Sequence, residues 1–278
     1  MASFKFISLL CLLQMLTKIS IGQERKDYTF SYRATYEMSF RRDSLSDQKE
    51  KQVTYLSFND STSVFRTEEK RHQDSTRYQY LYGKVKPRGG HMYVIGQSRE
   101  DNLIVKEGNI IYTFENLFVV SRNDVNYYFE EKKSDQGWKI LDDTLQIGGF
   151  VCQKATLHYG NRYWTAWFTS EIPISDGPYR FSGLPGLIVK IEDRTKSWQF
   201  ELLSLERIEH RVSINFDKSI HYKKTNKAEF YKQKKYLLDN IVDLRTSSND
   251  ATIDQIEQFR AKVANVRKAD NNWIELYP

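Results

Sequence analysis

Cys152 and His158 are the residue types that most invite a reaction, because a thiol and an imidazole in contact make a nucleophile and its base. Their spacing argues against that pairing. Both sit in the apolar-polar alternation FVCQKATLHY, and along an extended strand six residues span ~20 Å. A lone cysteine in such a strand reads as a small buried hydrophobe. The five histidines, His72, His91, His158, His210 and His221, are scattered, with no His-x-His or His-x-x-x-His pair. Only His91-Met92 offers a soft pair that could interest copper, and a metal needs three or four converging ligands. Asp142-Asp143 and Glu68-Glu69 are neighbours in extended stretches, so each pair points to opposite faces and cannot act as a glycosidase couple. No G-x-S-x-G elbow is present. We therefore expect no catalytic set, no cofactor and no metal centre.

The elements that carry these residues are legible. Gly160-Asn161 is a two-residue hairpin turn joining Phe150–Tyr159 to Arg162–Thr169. The turn sets Tyr159 opposite Arg162 and, stepping back, His158 opposite Tyr163 and Lys154 opposite Trp167. One face collects Val151, Gln153, Ala155, Leu157, Tyr159, Arg162, Trp164, Ala166 and Phe168 and should meet the core. The other is mixed, and Cys152, Lys154, His158, Tyr163 and Trp167 on it form the candidate surface for a ligand or partner. Lys154 over Trp167 would be a cation–π contact. An enzyme whose residues converge on this mixed face from other strands is the alternative reading.

The stretch Gly183-Leu184-Pro185-Gly186-Leu187 has the form of a type II turn, with proline presetting φ and Gly186 supplying a positive φ, followed by a strand from Leu187. It holds no acid, base or nucleophile, and it is structural.

Strand signals dominate the chain. From Tyr28 to Phe40 the apolar side chains recur at every second position, and runs such as VTYLSF, SVFR, RYQYLYG, HMYVIG, NLIVK, NIIYTF, LFVV, NYYFEEK and WKIL follow between short turns. Such short connections cannot carry the crossover helices of a parallel sheet. After about Ser213 the pattern becomes helical. Asn226–Leu244 carries Phe230, Leu237, Leu238 and Ile241 on one side, and Thr252 with Gln255 makes a capping box for a second helix with the stripe Ile253, Ile256, Phe259, Val263 and Val266. The expected fold is mainly β, in α+β arrangement: a single curved antiparallel meander over residues 27–213, two C-terminal helices over 226–268 packed on it, and a tail over 269–278. The whole of 23–278 reads as one domain.

The ends and the charge bound the setting. Residues 1–22 read as a signal peptide: a short basic start at Lys5, the apolar run ISLLCLLQML, and small residues Ser20 and Gly22 before a cut at Gln23. No later stretch has the length and apolarity of a spanning helix. Cys152 is the one cysteine expected after cleavage, so stability must come from a packed core of about 250 residues. The formal charge of +6 falls to +4 once Lys5 and Lys18 leave. That surplus does not point to nucleic acid. Much of it lies in KKTNKAEFYKQKK, whose plain reading is a solvated helix face and whose sharper one is a surface for acidic polymers or lipid headgroups. Asp-Ser/Thr-x triplets begin at Asp43, Asp60, Asp74 and Asp143, the short acceptor form of O-glycosylation.

The run IGGFVCQKATLHYGNRYWTAWFTSEIPISDGPYRFSGLPGLIVKIED, with YEMSF near the start and NNWIELYP at the end, resembles the GLPGLI family of exported proteins found mainly in Bacteroidota. The resemblance covers most of the chain after the leader. It implies a periplasmic or outer-membrane-associated protein of uncharacterised function, without established catalytic residues, in an accessory role near TonB-dependent outer-membrane systems. The hairpin and aromatic strands are also loosely similar to lipoprotein-carrier half-barrels, an analogy of fold that implies a lipid-like ligand.

Overall fold

The structure is a computed structural model that describes residues 26–72, 102–117, 125–214, 222–246 and 252–276. The leader, the strands expected at RYQYLYG and HMYVIG, the His91-Met92 pair, His221 and the Asp74 triplet lie outside the described residues.

The long alternation becomes the central strand, β1 (Lys26–Phe40). Ala34, Tyr36, Met38 and Phe40 are buried in the main core, as a period of two requires, while Tyr28 and Phe30 are buried in a separate apolar cluster with Val64, Leu103, Val105 and Phe114. From there the chain meanders through β2 (Glu50–Phe58), β3 (Thr62–Thr67), β4 (Leu103–Glu107), β5 (Ile110–Leu117) and β6 (Val125–Lys132). A second meander runs through β7 (Lys139–Ile147), β8 (Phe150–Tyr159), β9 (Arg162–Thr169), β10 (Leu187–Asp193) and β11 (Trp198–Ile214). β11 returns along β1, so both meanders share one unclosed sheet, joined at one edge by β12 (Tyr222–Lys224), in the order β12-β6-β5-β4-β3-β2-β1-β11-β10-β9-β8-β7. The sheet is antiparallel except at one edge. There β12 lies parallel to β6, which corrects the wholly antiparallel expectation.

This order forces the sheet to curl. β6 and β7 are separated by nine intervening strands, which in a flat sheet would place them about 48 Å apart. The connection between them, residues 133–138, can reach only about 25 Å when fully extended. The edges therefore approach each other, and the Tyr159 hydroxyl on β8 donates to Glu131 on β6 at 2.9 Å.

The hollow of the curl is filled by the chain itself. Asp176–Ser182, in the connection from β9 to β10, is buried throughout, and Tyr179, Phe181 and Leu184 pack with Trp164, Phe168, Trp198 and Phe200 in the main core. Leu187 opens β10, as the sequence predicts. The turn before it is not type II: Gly186 has φ 159° and its amide donates to Leu184 O at 2.8 Å. Glycine is required there by crowding, because a Cβ on Gly186 would lie 2.1 Å from the Thr169 carbonyl oxygen.

The helical region also departs from expectation. α1 (Lys227–Asp239), capped by Asn226, packs Phe230 against Phe129 of β6 with ring centroids 5.2 Å apart. The helix stops at Asn240, and α2 (Ile241–Thr246) restarts it. α3 (Ile253–Ala269) has the expected capping box at Thr252 and Gln255. It packs on α2 rather than on the sheet, and none of its residues is buried. Its stripe is longer than the six-residue α2 can cover, so Ile253 and Val266 at the ends stay exposed.

Candidate functional site

The β8–β9 hairpin has the expected register, with Lys154 opposite Trp167, His158 opposite Tyr163 and Tyr159 opposite Arg162. Gly160 and Asn161 take φ of 58° and 55°, the left-handed pair a two-residue hairpin turn needs. Ala155, Leu157, Trp164, Ala166 and Phe168 enter the core, whereas Val151 of the same face is exposed. On the mixed face Lys154 Nζ lies 5.8 Å over the Trp167 ring and 3.7 Å from Asp143. The His158 and Tyr163 rings are 4.7 Å apart. Cys152 departs from this group: it is buried, its thiol donates to Phe150 O at 3.7 Å, and burial pushes its pKa up. A protonated, enclosed thiol is no nucleophile.

Two rows of side chains cross the outer face of this half of the sheet. Lys139, Thr156, Thr165 and Glu192 are successive register partners on β7, β8, β9 and β10. His158 and Tyr163 begin the next row, and the Arg194 amide donates to Tyr163 O at 2.8 Å to continue it. With Lys196 these residues border an open groove of about 610 Å³. Among the described residues no three His, Cys, Asp or Glu side chains gather to hold a metal.

The strongest polar cluster lies on the opposite, inner side. Arg180 is fully buried; its Nε donates to Thr113 Oγ1 at 2.9 Å and its Nη1 pairs with Glu275. Tyr179 OH donates to the same carboxylate at 2.7 Å, and Lys227 Nζ reaches its other oxygen at 2.8 Å. Lys227 also donates to Glu131 at 2.6 Å and to Tyr159 OH at 2.9 Å. Burial opposes the charge on Arg180, but Glu275 and the surrounding phenols hold its pKa above the usual range. Nearby, Lys106 Nζ donates to Asp176 Oδ1 at 2.6 Å, Gly177 O at 2.7 Å and Phe181 O at 3.0 Å. Burial lowers the Lys106 pKa and Asp176 only partly offsets that. In each of these pairs a charge faces its opposite, with Arg180, Glu275, Lys106 and Asp176 buried and Lys227 and Glu131 partly so, and together they tie the chain across the fold.

Beside this cluster α1 and the C-terminal segment Asn272–Leu276 bound a cleft of about 310 Å³. Tyr231, Leu238, Trp273 and Ile274 line it, and Glu275 closes one side. At its rim Lys234 lies 5.1 Å over Trp273 and donates to Glu115 at 2.6 Å, while Arg267 pairs with Asp239 at 3.5 Å. Lys235 has no such partner among the described residues. The basic stretch read as a solvated face is thus divided. Lys227 and Lys234 fold onto carboxylates of the sheet and the C-terminal segment, and Lys235 is exposed. Sequence reasoning missed Arg180, Glu275 and Trp273 as site residues; the one signal was a charge set among apolar neighbours in PYRF and WIEL.

A family model described as a protein of unknown function, Porph_ging, matches residues 159–190, from the hairpin turn through the GLPGLI stretch into β10. No curated protein sequence matches the chain. Two crystal forms of PNGF-II are similar at TM-scores of 0.48 and 0.49 with 14% and 15% identity, covering 74% and 73% of this chain and 32% and 33% of theirs. The chain thus spans about a third of the length of PNGF-II. A LolA superfamily protein from Nitrosomonas europaea is similar at a TM-score of 0.27 with 7% identity, over 65% of this chain and 87% of that one.

Proposed function

We propose that this chain is an exported cell-envelope protein of the GLPGLI type whose activity is binding, and that its ligand is an amphiphile with an apolar body and an anionic head. The observation that carries this reading is the cleft beside α1, where an aromatic and aliphatic wall meets the exposed ammonium of Lys235, which has no ion-pair partner among the described residues. Ligand sites commonly combine a mostly apolar lining with a few polar anchors, and this volume falls at the lower end of their range. The charged groups behind the wall are already neutralised by one another, which leaves the cleft to attract through its surface and not through a reaction. The place in the envelope, near TonB-dependent systems, rests on the family resemblance alone. No described helix is long and apolar enough to cross a membrane.

The test uses the purified full chain with decanoate and lysophosphatidate as probes, followed by tryptophan fluorescence, since Trp273 lines the cleft. Leu238 is 38% exposed at the cleft, so Leu238→Asp can introduce a charge without disturbing the core. Both probes are expected to bind, and Leu238→Asp and Lys235→Glu should each weaken them about tenfold, ~1.4 kcal/mol. Absence of binding, or binding that neither variant changes, would refute the reading.

A further inference from the structure

We propose that the groove on the outer face of β7–β10 is a second site, for an acidic saccharide carrying carboxylate or sulfate groups. The argument is independent of the cleft and begins with the rings. Tyr163 is 61% exposed and lies 4.7 Å from His158, presenting an aromatic surface to solvent. A sugar ring has an apolar C–H face that packs on such a surface and hydroxyls that project sideways. At the sides of this platform are Thr156 and Thr165, which can donate and accept, and the Glu192 carboxylate, which accepts. The two rows are about 7 Å apart along the strands, and the groove they border crosses β7, β8, β9 and β10, so a chain of sugars can run along it.

Charge selects the acidic kind. Lys139, Arg194 and Lys196 border the groove without an ion-pair partner among the described residues, against the single carboxylate of Glu192. The other acid nearby, Asp193, is taken: it accepts from Arg162 Nη1 at 3.0 Å, from Thr195 Oγ1 at 2.5 Å and from the Trp198 amide at 2.7 Å. Those bonds fix the backbone of the turn that presents Arg194 and Lys196, whose side chains are exposed at the groove. Lys196 itself adopts φ 53°, a left-handed conformation in which glycine or asparagine is the easier choice. A lysine at a backbone position that disfavours it raises the question of what its side chain does there, and the groove it borders supplies an answer.

That same strain supplies a test that unfolding cannot confuse. Lys196→Gly relieves the backbone and removes the charge, so its melting temperature should equal or exceed that of the parent chain. Calorimetric titration of the full chain at low salt would use tetragalacturonate and a heparin tetrasaccharide as acidic probes. Maltotetraose would serve as the neutral control and an eight-residue oligothymidylate as the competing polyanion. At least one acidic sugar is expected to bind more tightly than both controls, and Lys196→Gly and Tyr163→Ala should each weaken it at least fivefold. The proposal is overturned by binding that Lys196→Gly leaves unchanged, by equal binding of maltotetraose, by tighter binding of the oligonucleotide, or by no binding of either acidic sugar.

Discussion

At the scale of single residues, space at Gly186 and charge at Lys154 make opposite demands on the same region. A Cβ at Gly186 meets the carbonyl oxygen of Thr169 at 2.1 Å and its carbonyl carbon at 2.6 Å, and backbone there cannot yield without moving β9. Lys154 contributes a half-exposed cation–π contact, worth ~0.5–1 kcal/mol. Gly186→Val should therefore cost well over ~3 kcal/mol in urea unfolding, and Lys154→Ala no more than ~1 kcal/mol. Equal, small losses would mean that the 170–186 connection seats itself without that close approach. The contrast also shows what the sequence could reveal. The Lys154–Trp167 pairing was legible because one turn, Gly160-Asn161, fixes the register over a few residues. The demand on Gly186 was legible as a glycine, but its cause was not, since Thr169 approaches it only once the whole connection is folded.

At the scale of elements, α1 and α3 look alike in sequence and differ in what they bury. Both have a sound N-cap and an apolar stripe. Phe230 of α1 is fully buried among Phe129, Tyr127 and Tyr231, whereas Ile253 of α3 is 77% exposed. Phe230→Ala is accordingly expected to cost ~3–5 kcal/mol and Ile253→Ala less than ~0.5 kcal/mol, read from denaturant midpoints. A large loss at Ile253 would mean that α3 is covered by something in solution. Periodicity gives the existence and the face of each helix, because it is local. It does not give the partner of that face, so the stripe on α3 was expected on the sheet and is found on α2. The cleft shares that origin. Leu238 and Lys235 are ordinary helix residues until Trp273, far along the chain, closes over them.

At the scale of the whole molecule, two meanders are joined along β1 and β11 and are held a second time by what fills their curl. The 170–186 connection belongs to the second meander, yet Lys106 of β4 and Thr113 of β5, both in the first, bind it through Asp176 and Arg180. The C-terminal segment completes the lock. Glu275 faces Arg180, Arg162 donates to the carbonyls of Trp273 and Ile274 at 2.5 Å and 3.1 Å, and the Leu276 amide donates to Gly160 O at 2.8 Å. A buried ion pair adds little stability by itself, but removing one partner leaves the other as an uncompensated charge in the core. Glu275→Ala should thus destabilise the chain by ~3–5 kcal/mol. Joint replacement by Arg180→Met and Glu275→Leu should recover most of that loss, because it removes both charges at similar volume. Urea unfolding followed by near-ultraviolet circular dichroism reads both. A double variant less stable than Glu275→Ala would show that the hydrogen bonds Arg180 keeps to Thr113 and Tyr231, and not neutrality, hold the two meanders around their common core.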